Sequence, residues 1–134
     1  MNYSKKEKLS LLSDMIQLAK SDKKLKESEL SFIMAVAKNL KITSNEIYNL
    51  IDKPAEKVTL KTEADRILHF HRLLLVANID KETSITEITA LKNFGLHMGL
   101  PVEAINEVFT KMGDYPNKII PPDVVFNIFK RFYN

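Results

Sequence analysis

Apolar residues recur at intervals of three and four along almost the whole chain, and proline and glycine fall only between the stretches that carry this spacing. A period near 3.6 gathers such side chains on one face of an α-helix, so the sequence reads as all-α. Leu9, Leu12, Met15, Ile16 and Ala19 form the stripe of a first helix over about 4–21. Leu30, Ile33, Met34, Ala37 and Leu40 form that of a second over about 26–39. Thr43 followed three residues later by Glu46 is a capping box, in which hydroxyl and carboxylate each accept from an otherwise orphaned N–H. It opens a short third helix with Ile47, Leu50 and Ile51 that stops before Pro54. Thr62 with Asp65 starts a fourth, apolar nearly all the way round from Ile67 to Ala77, with His69, Arg72 and Val76 in its least apolar sector; such a helix is expected at the centre of the fold. Ser84 and Glu87 cap a fifth that ends near Gly99, Pro101 opens a sixth that ends at Gly113, and Pro121, Pro122 and Asp123 lead into a seventh carrying Val125, Ile128, Phe129 and Phe132.

Composition narrows the function classes. The chain has 134 residues, a size that forms one ordinary core, and reads as a single domain over 1–134. It has no cysteine, which excludes disulfides and thiolate chemistry, and its three glycines, Gly95, Gly99 and Gly113, cannot supply a dinucleotide fingerprint or a P-loop. The net charge of +3 lies wholly in the first half, where 13 Lys and Arg face 10 Asp and Glu. Lys5, Lys6, Lys8, Lys20, Lys23, Lys24 and Lys26 are interleaved with acids and arginine is scarce, a pattern of a solvated face more than of a phosphate track. Neither a signal-peptide core nor a membrane-length apolar run is present, so a cytoplasmic location is expected.

The chain also repeats. At an offset of 58, Ala19 falls on Ala77, Asp22 on Asp80, Lys23 on Lys81, Glu29 on Glu87 and Ile47 on Ile105, without gaps. Both halves, about 9–51 and 67–109, read as long helix, acidic turn, long helix, short helix. The expected architecture is two three-helix repeats around the fourth helix, closed by the seventh. The matched carboxylates have two readings. An aspartate in a turn and a glutamate in a first helical turn serve the backbone; alternatively Asp22, Glu29, Asp80 and Glu87 form an oxygen-rich site for a hard divalent cation such as calcium or magnesium, though not an EF-hand.

The pattern of alanine, aspartate, spacer and glutamate, between a helix ending Gln17-Leu18-Ala19 and one running Glu29-Leu30, followed by Leu40-Lys41-Ile42-Thr43, resembles the TerB-like domain of bacterial tellurite-resistance proteins over about residues 9–112. Where that family commonly has glycine after the aspartate, this chain has Lys23 and Lys81. The resemblance implies an all-helical, non-enzymatic module linked to tellurite or other stress, with Asp22, Glu29, Asp80 and Glu87 as motif carboxylates facing a metal ion or a partner protein.

Catalytic signals are sparse. His69 and His71 lie two apart on one helix and point about 200° from each other, so they cannot chelate one ion, and His97 sits where a cation favours a helix C-terminus. No nucleophile motif occurs. A lysine-driven nucleic-acid binder and a carboxylate hydrolase stand as alternatives. Phe126, Phe129, Phe132 and Tyr133 place four of the eleven aromatics in the last nine residues; they cap the core or offer a homodimer or partner surface.

Overall fold

In a computed structural model, which describes residues 2–21, 24–79 and 83–132, seven α-helices account for the architecture and the described residues contain no strand. The helices are α1 (Lys5–Lys20), α2 (Glu27–Asn39), α3 (Ser44–Asp52), α4 (Glu63–Asn78), α5 (Ile85–His97), α6 (Val102–Met112) and α7 (Pro122–Lys130). The capping boxes anticipated at Thr43/Glu46 and Ser84/Glu87 form, and Thr62 accepts from the Asp65 N–H. A further box, Ser4 with Glu7, opens α1, and a single 3-10 turn, Pro116–Lys118, precedes α7. Neither was anticipated: Glu7 sits among lysines, and the turn holds Asn117 and Lys118 at positive φ without a glycine.

Helix positions repeat as the sequence does. α1 and α4 begin at residues 5 and 63, α2 and α5 at 27 and 85, and α3 and α6 at 44 and 102, each pair 58 apart. The ends of α2 and α5 match in detail. Ile42 N–H bonds to the Ala37 carbonyl at 2.9 Å and Leu100 N–H to that of Gly95 at 3.0 Å, while Lys41 and Gly99 both take left-handed φ, +62° and +78°. This is the Schellman closure, which satisfies the last carbonyls and tucks the following residue inward; Ile42 and Leu100 are accordingly buried.

The core is built on α1 and α4, which make the most extensive helix pairing. α4 is buried on nearly all sides, as expected, with Phe70, Leu73, Leu74 and Val76 sealed. α1 shares the centre with it, burying Leu11, Leu12, Met15, Ile16 and Leu18 together with Ser10 and Ser13. Those serines interrupt the apolar stripe because they hold a neighbour. Ser10 Oγ accepts from Val58 N–H at 2.9 Å and Ser13 Oγ from Ala55 N–H at 3.1 Å, lashing the helix-free connection 53–62 along α1. Around this pair α2 and α5 each pack on both central helices. α3 stands against α1, whereas α7 stands against α4 and α6.

The C-terminal aromatics divide. Phe129 meets Phe70 edge to face at 5.9 Å and is fully buried, Phe126 is partly buried, and Phe132 is exposed; Tyr133 lies outside the described residues.

Two positions test the repeat energetically. Lys41 adopts a conformation that disfavours a Cβ, so Lys41→Gly is expected to raise stability by about 0.5–1 kcal/mol, net of the added freedom of the unfolded chain. At Gly95, the register partner of Ala37, a Cβ would approach Ile105 Cδ1 to 2.6 Å, so Gly95→Ala should lower stability by about 1–3 kcal/mol. Urea unfolding of both variants measures this; a destabilised Lys41→Gly or a neutral Gly95→Ala contradicts the packing described.

Candidate functional site

Of the four repeat-related carboxylates, Asp22 and Asp80 lie outside the described residues. Glu29 and Glu87 are both 4% exposed at the entrances of α2 and α5. Glu29 Oε1 accepts from Lys26 N–H at 2.9 Å and Glu87 Oε1 from Ser84 N–H at 3.1 Å. At Glu87 the box is reciprocal, since Ser84 Oγ accepts from the Glu87 N–H. At Glu29 the residue in the cap position is Lys26, whose side chain makes no cap hydrogen bond. Among the described residues no group of three or more His, Asp or Glu side chains is arranged to hold a metal ion.

A second site, which the sequence reading passed over, lies between the repeats. α1, α4, the end of α5 and the connection 53–62 enclose a cavity of about 280 Å3. Its apolar wall includes Leu11, Leu60, Phe94 and Met98, and its polar groups are Asp14, Lys57, His69 and His97. Asp14 comes from α1, and its Oδ2 lies 3.0 Å from His69 Nε2 on α4. An ionised carboxylate only accepts, so in the neutral ring the donor is Nε2–H. His69 Nδ1 is buried and has no hydrogen-bond partner, which a bare acceptor nitrogen tolerates better than an N–H. The pair therefore offers the cavity a carboxylate from α1 held by an imidazole from α4, with neither ring nitrogen of His69 left to present to a ligand.

Lys57 completes the arrangement. Its ammonium lies 4.6 Å from the centre of the Phe94 ring and 3.7 Å from Asp14 Oδ1. The side chain is 57% exposed against 14% for Asp14, so it reaches over the cavity from the rim. His97 donates from Nδ1–H to the Asn93 carbonyl at 2.7 Å when neutral.

His71 has another role. It is buried, and its Nε2–H donates to the Ile120 carbonyl at 2.7 Å, tying α4 to the segment that enters α7. The opposed directions expected for His69 and His71 are thus seen in partners on different elements. Burial holds the His71 pKa below its ordinary value; Arg72 adds to the effect and the carbonyl bond offsets part of it.

No residue of the cavity carried a motif. Asp14 and His69 are 55 positions apart, and the clue available was divergence: at the 58 offset Asp14 falls on Arg72 and His69 on Leu11. Compared with known proteins, the chain matches no family model, no curated protein and no solved structure. No described helix is long and apolar enough to cross a membrane.

The His71 shift carries a pH prediction with a definite sign. Below about 6.5, the ordinary histidine value, the unfolded chain binds a proton at His71 that the folded chain does not, so stability is complete above that value and declines as pH falls below it. His71→Gln should flatten this decline when urea unfolding is compared across the window. An unchanged slope contradicts a depressed His71.

Proposed function

We propose that the protein is a non-enzymatic binding module of the TerB-like type, acting in tellurite or other stress response, in which Asp22, Glu29, Asp80 and Glu87 receive a divalent cation such as calcium or magnesium, or a basic partner. The observation that carries this reading is the repetition of one buried carboxylate: Glu29 and Glu87, register partners at the 58 offset, are both 4% exposed at the entrances of α2 and α5, and each accepts from the backbone N–H three residues before it. Burial of a carboxylate is unfavourable unless something compensates it, and a cation or a basic partner at the turn would add to what the backbone supplies. The repeated helix framework supports the TerB-like comparison, since two copies of one unit present the same acidic entrance twice.

The non-enzymatic part of the reading rests on the cavity chemistry. A general base needs a free nitrogen or oxygen within hydrogen-bond reach of its substrate, and His69 spends one nitrogen on Asp14 and has the other sealed. Among the described residues Asp14 is the one carboxylate lining that cavity, so a two-carboxylate hydrolysis finds no second acid among them there.

Calorimetric titration with calcium, magnesium, manganese and zinc, paired with thermal melts, tests the ion. Binding is expected to release or absorb heat and to raise the melting temperature as ion concentration passes the dissociation constant. Absence of both effects at millimolar ion removes the ion reading, and loss of the effect in Glu29→Gln with Glu87→Gln would locate it.

A further inference from the structure

We infer that the cavity between α1, α4 and α5 is a recognition site for a primary ammonium group carried on a short apolar stem, and that Lys57 occupies its mouth as an internal competitor. The inference does not depend on the acidic turns or on the ion assigned to them.

Asp14 is the anchor. One oxygen is fixed by His69 Nε2 at 3.0 Å, which holds the carboxylate in one orientation. The other, Oδ1, has the Lys57 ammonium at 3.7 Å, well beyond the 2.7–2.9 Å of a charge-assisted hydrogen bond. A carboxylate that is 14% exposed thus has no protein donor close to one oxygen among the described residues, and it lines a cavity of about 280 Å3. That space is several times the roughly 30 Å3 a water molecule takes up.

The wall opposite explains what kind of donor fits. Phe94 already accepts an ammonium against its ring at 4.6 Å, the geometry of cation–π attraction, and Leu11, Leu60 and Met98 supply apolar surface for a methylene stem. Carboxylate, ring face and apolar wall match an alkyl ammonium point for point. An anion would meet Asp14. Lys57 demonstrates the recognition from within the chain, but it arrives from the rim on the helix-free connection 53–62 and is 57% exposed. A loose, half-solvated ion pair is weak, so an incoming ammonium that reaches Oδ1 closely displaces it into solvent.

The register partner of this region shows that the chemistry is particular to one side. Gln17, Ser21 and Ala90 line the cleft that continues past Lys57 and Phe94; at the 58 offset they correspond to Leu75, Ile79 and Phe32, which line an apolar groove on the other side.

The test is an NMR titration with n-butylammonium, n-butanol and butyrate at matched ionic strength, following amides of residues 57–60 and 94–98. Butylammonium is expected to bind with a dissociation constant of about 1 mM, reasonable for a ligand of so few atoms, while butanol and butyrate bind at least about tenfold more weakly, the difference an anchored charge supplies. Lys57→Met, which keeps the stem and removes the competitor, should tighten butylammonium by about two- to fivefold. Asp14→Asn should abolish it. If Asp14→Asn does not fold, the Lys57→Met result and the three-ligand comparison decide alone. Titration with Nα-acetyl-lysine N-methylamide separates the two sources of such a group: equal or tighter binding assigns a partner's lysine side chain, and exclusion assigns a free amine. No binding to wild type or Lys57→Met, preference for butyrate, or a Lys57→Met variant that binds more weakly overturns the inference.

Discussion

Everything else in the structure depends on two largely buried helices, α1 and α4, packed against each other at the centre. Leu12, Met15, Ile16 and Leu18 on one and Phe70, Leu73, Leu74 and Val76 on the other occupy matching positions at the 58 offset, and each is sealed from water. Complete burial of a side chain of this kind contributes about 1.5–3 kcal/mol. A chain without disulfides depends on burial of this kind for its stability. The flanking helices follow from that pairing: α2 and α5 each lie across both central helices, so neither repeat has a core of its own.

A twofold framework of this kind makes differences between its halves informative. Matching positions solve matching packing problems, as at the ends of α2 and α5, where Lys41 and Gly99 reach the same backbone conformation with unequal ease. Where the halves part company, the reason lies outside the shared core. Asp14 falls on Arg72 and Leu11 on His69, so one side of the α1–α4 pairing gains a carboxylate held by an imidazole while the other carries a guanidinium over the Tyr3 ring. α7 adds to the asymmetry by filling the side of α4 and α6, bringing Phe129 onto Phe70.

The fold was legible because its signals are local. Caps at Thr43, Thr62 and Ser84, the prolines at 54, 101 and 122, and a 3.6-residue period each act within a few residues, and together they place every helix. The central role of α1 was harder to see. Ser10 and Ser13 look like surface residues in a stripe, and only the path of the connection 53–62 shows that their hydroxyls replace backbone partners for Val58 and Ala55. The cavity left only an indirect mark in the sequence, the divergence of Asp14 from Arg72 and of His69 from Leu11. Asp14, Lys57, His69 and Phe94 come from four separate segments, and no spacing within one helix predicts their meeting. The acidic turns, by contrast, were visible as a repeat, yet Glu29 and Glu87 prove also to cap their helices, a local duty that the same spacing equally encodes.

The pairing of α1 with α4 across Asp14 and His69 is the claim on which both the core and the cavity rest, and the tautomer of one ring reports it directly. Long-range nitrogen–proton correlation spectra distinguish the two neutral forms of histidine. With Nε2–H donating to Asp14 and Nδ1 sealed without a donor or acceptor, the neutral His69 ring is expected wholly as the Nε2–H tautomer, with that proton protected from exchange. An Nδ1–H tautomer, or a ring averaging between the two forms, would contradict it.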